Sequence, residues 1–198
     1  GQELAQKAPL LQKSEWRLQS LTAPFSWPEA DFALLSYVLG ELPHPEQLLK
    51  GWWDSSVPYL FLLEPGTPQG FSLSLKLREK ALSLGAHLIA PCPHAFKCPM
   101  KGGDWCHFSA RVERSRLHRL LKGGSLGFED EKFCYLILSK KELAVRGQSR
   151  IVKPPHHTPG FLSLPLCTER GELDDKKILK REKEVYKRGR KLEWGDLF

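Results

Sequence analysis

The sequence predicts an α/β domain: the second half of a doubly wound sheet, finished by an antiparallel pair and followed by a small basic extension. Three observations predict it. Short apolar runs alternate with segments of helical period, a Pro/Gly-rich stretch dense in cysteine interrupts the later strands, and the composition turns irregular and then basic after Arg146.

Residues 2–13 read as a partial helix interrupted by Pro9. The continuous apolar run from Asp31 to Leu39, stopped near Gly40, reads as a strand buried on both faces. A helix follows over 45–53, with Pro45 suited to its first turn. Tyr59 to Glu64 is a second buried run, closed by Pro65-Gly66-Thr67-Pro68, and strand, helix, strand is the signature of a parallel crossover. Residues 69–84 have helical spacing with Gly85 as the stop. A third run, 86–90, leads into the cysteine loop. Residues 105–112 and 132–139 read as strands, separated by a short basic helix and the turn Gly123-Gly124-Ser125. Pro154, Pro155 and Pro159 mark an irregular stretch over 150–160, before a hairpin at Arg170-Gly171 and a basic terminal helix. No internal repeat is visible.

At 198 residues the chain fits one domain, or one domain plus an extension. With 41% hydrophobic and 27% charged residues it belongs to the soluble globular class, and no apolar run approaches the roughly 20 residues that span a bilayer. No membrane partner is expected. Thirty Lys and Arg against 23 Asp and Glu give a net charge of +7, which favours a polyanionic partner. The start, Gly1-Gln2-Glu3-Leu4, has no initiator Met, transit-peptide composition or signal-peptide core, so the chain reads as a fragment or processed product. Five scattered cysteines make a poor disulfide framework and point to a reducing compartment.

Four of them, Cys92, Cys98, Cys106 and Cys167, fall as C-x5-C-x7-C-x60-C, the first three within the Pro/Gly-rich loop 91–106. Such a loop can wrap a compact inorganic centre, because its backbone owes no ladder hydrogen bonds, and soft thiolates are what iron-sulfur clusters require. Zinc competes, with His94 or His107 in place of a thiol, although the short C-x2 to C-x4 pairs of structural zinc sites are missing. Unligated core cysteines are the third possibility. Cys134, inside a strand pattern, reads as a buried small hydrophobe.

The strings Leu63-Glu64-Pro65-Gly66-Thr67-Pro68-Gln69-Gly70-Phe71, Ala90-Pro91-Cys92-Pro93-His94, Asp104-Trp105-Cys106-His107-Phe108-Ser109 and Lys122-Gly123-Gly124-Ser125-Leu126-Gly127-Phe128-Glu129-Asp130-Glu131-Lys132 closely resemble the methyltransferase-like protein 17 family, across nearly the whole chain. The resemblance implies the C-terminal half of a class I methyltransferase-like, Rossmann-like sheet over 1–145, with an inserted iron-sulfur loop, and a basic extension over 146–198 that supplies the fourth cysteine. It further implies a [4Fe-4S] cluster on Cys92, Cys98, Cys106 and Cys167, and a role in small ribosomal subunit assembly or translation, with small-subunit rRNA and ribosomal proteins as partners. The chain departs from a complete methyltransferase in lacking, before Asp31, the Gly-rich turn and following acidic residue that hold S-adenosylmethionine. That cofactor, and rRNA methylation as the alternative function, are expected only in a full-length chain. No catalytic residue is assigned, and Glu64, alone before a Pro-Gly turn, reads as structural. A zinc-stabilised RNA-binding module is the second alternative.

Two basic groups are candidates for RNA phosphates. Arg111, Arg114, Arg116, Arg119 and Lys122 recur at near-helical spacing. The run 176–191 holds nine Lys or Arg against two Glu, among them Lys180, Arg181, Lys187, Arg188, Arg190 and Lys191. Tyr186 and Trp194 could stack on bases or dock the terminal helix, His156-His157 reads as surface loop, and Trp52-Trp53 should pack under the sheet. The expected compartment is the bacterial cytoplasm, with the mitochondrial matrix as alternative.

Overall fold

Short apolar runs in this chain become strands and the segments between them helices, around two separate cores. The computed structural model describes residues 2–143 and 148–198; the domain boundary expected between residues 145 and 146 lies outside them. In order come α1 (Gln2–Gln6), β1 (Phe32–Ser36), α2 (Glu46–Asp54), β2 (Tyr59–Pro65), α3 (Pro68–Ser83), β3 (His87–Ala90), β4 (Phe108–Glu113), α4 (Arg116–Lys122), β5 (Phe128–Ser139), β6 (Arg150–Ile151), β7 (His156–His157), β8 (Phe161–Cys167), β9 (Leu173–Leu179) and α5 (Lys183–Gly189). Pro9 opens a 3-10 turn of its own, Pro9–Leu11, so the expected first helix is cut short.

The first sheet runs β1-β2-β5-β3, with β4 also on β5. β1 and β2 are parallel, in register from Phe32 opposite Tyr59 to Ser36 opposite Leu63, as the crossover through α2 requires. β5 is antiparallel to β2, β3 and β4. Phe133 pairs with Pro65 on one side and Phe108 on the other, so β3 and β4 share one edge of β5 as two pieces of an interrupted strand. The interruption, residues 91–107, stands opposite only Cys134 to Leu136. The strand expected from Trp105 therefore begins at Phe108, because the three residues before it belong to the loop.

α3 starts where Thr67 accepts a hydrogen bond from the Gly70 N–H (3.1 Å) and Pro68 supplies a preset φ. It stops at Gly85, whose φ of +93° an L-residue with a side chain adopts only at a cost. Leu77 and Ala81 of α3, and Leu48, Leu49 and Trp52 of α2, cover the Leu60, Leu62, Leu136 and Leu138 face of the sheet. Trp52 is fully buried, as expected. β1 differs from expectation: Phe32 and Leu34 are 56% and 57% exposed. It is an edge strand, and α2 and α3 both pack on the opposite face, so only alternate residues are covered.

Glu64, at the end of β2, is buried and accepts the Leu39 N–H at 3.0 Å. Burial raises its carboxyl pKa, and backbone N–H groups of Leu39, Gly40 and Val38 offset part of the rise. With the folded pKa above the unfolded value of about 4.3, its stabilising contribution is complete below that value and is lost as pH rises through the folded pKa. Glu64→Gln cannot ionise and is expected to gain stability relative to wild type between about pH 4 and pH 8. A denaturation midpoint difference that stays flat over that range would contradict the burial account.

The second sheet is centred on β8. β9 pairs along its whole length, from Phe161 opposite Leu179 to Cys167 opposite Leu173, while β6 and β7 share the other edge. Its core is Ile151, Leu162, Leu164, Leu166 and Ile178, closed by Tyr186, Leu192 and Phe198. The chain end lies beside β6 through Ser149 N–H to Phe198 O (3.1 Å) and Ile151 N–H to Asp196 O (2.9 Å). The stretch 150–160, expected as loop, thus contributes two strand pieces; at two residues each, with Pro154 and Pro155 between, they have no readable period.

Candidate metal centre

Cys92 follows the cis Ala90–Pro91 peptide at the exit of β3, Cys98 and Cys106 sit in the same loop, and Cys167 ends β8. The four expected thiols line one cavity of about 50 Å³, between the loop, α3, β5 and the second sheet. A single water occupies roughly 10–15 Å³ on the same scale, so the space suits a group of several atoms. The thiols ring this space instead of meeting at a point. Among the described residues, no three His, Cys, Asp or Glu side chains are grouped as one metal ion would need.

Burial raises the thiol pKa of Cys92, of Cys106 and of Cys167, the last to about 12, and each is pushed further by neighbouring cysteines. Left to themselves these thiols stay protonated, so a metal must displace their protons to bind. Cys134 also lines the cavity, but its Sγ donates to the Cys106 carbonyl at 3.3 Å, and burial, then Glu64, raises its pKa to about 12. Its place is that of a support for the Cys106 backbone.

Two arginines hold the walls. Arg78 of α3, 3% exposed, donates from Nη2 to His94 O (3.0 Å) and Phe96 O (2.7 Å). Arg150 of β6 donates from Nε to Pro91 O (3.0 Å) and from Nη1 to Gly195 O (2.6 Å), joining the loop entrance to the chain end. His94 is buried, with Nε2 3.4 Å from Cys167 Sγ, its ring stacked on Phe96, and Nδ1 without a partner. Burial, then Arg78, depresses its pKa, favouring the neutral ring. Gly171, in the β8–β9 turn at φ +79°, packs so close to Phe96 that a Cβ would lie 3.1 Å from the phenyl Cβ. At the far end His107 lies between Trp105 (centroids 5.3 Å, stacked) and Trp194 (4.9 Å, edge-on), while Trp105 Nε1 donates to Gly66 O at 3.0 Å. Trp194 and Tyr186 therefore dock the C-terminal segment onto the molecule.

The residues fit a resident thiolate-held group: four sulfurs around one cavity, two arginines in its walls and no carboxylate among the lining residues. Sequence reasoning missed the two arginines. Arg78 left a signal, since it shares the inward stripe of α3 with Ser74, Leu77 and Ala81, where a charge is out of place.

The two basic groups differ. Arg111 pairs with Asp130 (2.8 Å) and lies over the Phe128 ring (4.0 Å), and Arg114 pairs with Glu129. Arg119 has a buried Nε without a partner, while Arg116 and Lys122 are exposed on α4. Lys180, Arg181, Lys187, Arg188, Arg190 and Lys191 are all exposed, on β9's exit, α5 and the turn beyond, and no ion pair among the described residues engages them. His156 and His157 are exposed. Among the described residues, no helix is long and apolar enough to cross a membrane.

Two relatives in Schizosaccharomyces pombe, the mitochondrial Rsm22-cox11 tandem proteins 1 and 2, are each 24% identical to the chain across 70% of it and 24% of their own length. The human mitochondrial ribosome assembly protein METTL17 is 27% identical across 84% of the chain and 39% of its own length. The chain thus spans between about a quarter and two-fifths of the relatives it matches. The sequence profile described as mitochondrial small ribosomal subunit Rsm22 matches residues 1–198, and the chain belongs to the methyltransferase-like Rsm22 family.

Proposed function

We propose that the chain is part of a small ribosomal subunit assembly factor that binds rRNA and holds a structural [4Fe-4S] cluster on Cys92, Cys98, Cys106 and Cys167. The observation that carries the cluster is the arrival of Cys167, from a different sheet, at the cavity of the three loop thiols. Four thiolates are the usual complement of such a cluster, which would tie the loop to the second sheet. The exposed cations of α5 and its flanks supply a surface for phosphates. The names of the relatives favour the subunit and a mitochondrial matrix location, and nothing in the comparisons favours the bacterial cytoplasm.

The order β1-β2-β5-β3, with β5 antiparallel, supports reading the first sheet as the C-terminal half of a methyltransferase-like sheet. Tyr37, at φ +55° where β1 ends, lies on the strand-end side where open α/β sheets bind ligands, which favours S-adenosylmethionine-dependent methylation of rRNA as a second reading for a longer chain. Calorimetric titration of that longer chain with S-adenosylmethionine tests it.

Protein purified without oxygen is expected to contain about four iron and four sulfide per chain. Zinc without sulfide would replace the cluster with the zinc-stabilised RNA-binding module. Absence of both metals would remove the metal centre altogether.

A further inference from the structure

Arg78 is a buried cation with no anionic partner among the described residues. Its side chain reaches the thiol cavity from α3, two carbonyls take up Nη2, and Nε is buried with no hydrogen-bond partner. No ion pair among the described residues involves it, and no Asp or Glu lines the cavity. A guanidinium keeps its charge at any ordinary pH, and burying it unpaired is costly. Thiols, Cys92 and Cys167 among them, line the same cavity.

We propose that Arg78 is the built-in counter-ion of the occupant of this cavity: a positioning residue whose charge, and whose free Nε–H, act on the sulfur of an anionic thiolate-held cluster. The inference rests on the reading of the site as a cluster centre. It deepens that reading by requiring the occupant to be negatively charged, as a cluster held by four thiolates is. Arg150 adds a second positive charge near Cys92, but its Nε and Nη1 are spent on Pro91 and Gly195 carbonyls. Arg78 alone has a buried donor left over among these two.

Charge and hydrogen bonds beside a cluster set its reduction potential. A positive charge favours the reduced form, which carries one more electron. Removing it makes reduction harder. The experiment compares wild type, Arg78→Gln and Arg78→Lys, purified without oxygen in the full chain, by iron and sulfide content and by redox titration of the visible absorption. Arg78→Gln keeps an amide donor for the loop carbonyls but loses the charge. It is expected to shift the reduction equilibrium about tenfold, which is about 59 mV to the negative side for one electron. Arg78→Lys keeps the charge and is expected to stay within a third of that shift while retaining its iron.

If Arg78→Gln keeps both its iron and the wild-type potential, the counter-ion assignment is overturned and the cluster reading stands. If Arg78→Gln does not fold, Arg78→Lys decides. Loss of iron from the lysine variant as well means that the carbonyl fork, and not the charge, is what the site needs. A wild type with neither iron nor sulfide overturns the cluster reading and this inference with it.

Discussion

Cys98→Ser is expected to remove most of the iron and the visible absorption of the anaerobically purified protein and to lower its stability by about 2–5 kcal/mol, the scale of losing a long-range covalent cross-link. Serine offers a hard oxygen where the centre needs a soft thiolate. Cys98 sits mid-loop, in a segment that stands opposite only Cys134 to Leu136 and has little sheet pairing of its own to fall back on. What then holds the loop is Arg78 of α3 on the His94 and Phe96 carbonyls and, toward the second sheet, Arg150 on Pro91 and the packing of Phe96 on Gly171. Cys134→Ser is the control, because a hydroxyl can still donate to the Cys106 carbonyl, and its iron content should match wild type. Equal iron loss in both variants would mean that the ligand set has been misassigned. A wild type without colour, as stable as Cys98→Ser, would remove the centre.

Neutralising Lys187, Arg188, Arg190 and Lys191 together to Gln is expected to cut the affinity for small-subunit rRNA and to reduce the slope of log affinity against log salt by about 3, near 0.7–0.9 for each lost phosphate contact. These four side chains are exposed and no ion pair among the described residues engages them. Arg111 and Arg114 carry the same formal charge, but Asp130 and Glu129 already neutralise them along β4 and β5. Arg111→Gln with Arg114→Gln should therefore leave the slope nearly unchanged. The measurement is filter binding or fluorescence anisotropy between about 50 and 200 mM salt. If Arg111 and Arg114 change the slope and the α5 set does not, the RNA surface lies along β4 and β5 instead.

Legibility in the sequence followed the scale of each signal. The helices α2 and α3 and the strand β2 were readable because their apolar runs are bounded by Pro, Gly or a cap such as Thr67. β5 was readable only from Lys132 and in fact begins at Phe128, since three of the four residues from Phe128 to Glu131 are acidic. β1 was readable as a strand, but its exposure was not, since Asp31 to Leu39 is apolar at nearly every position and only the arrangement of neighbours decides which alternate residues are covered. β6 and β7 were invisible at two residues each. The four thiols were named from spacing and resemblance, and the cavity unites them. Spacing could not tell that β3 and β4 are one edge strand with the thiol loop between its halves, because that depends on register against β5. Nor could it separate a neutralised arginine such as Arg114 from a free one such as Arg188, since Glu129 is far from Arg114 in sequence and adjacent to it in space.

The fourth thiol has a temporal consequence. Polypeptides emerge from their amino end, so the first sheet and three sulfurs are exposed to the folding environment while β8 is still being made. Until Cys167 emerges and β8 finds β9, the pocket is a three-sided vessel open to the surrounding fluid. If the pocket holds the proposed cluster, loading it is ordered behind completion of the second sheet, and a nascent chain stalled before that point would leave exposed the thiols that the finished protein encloses.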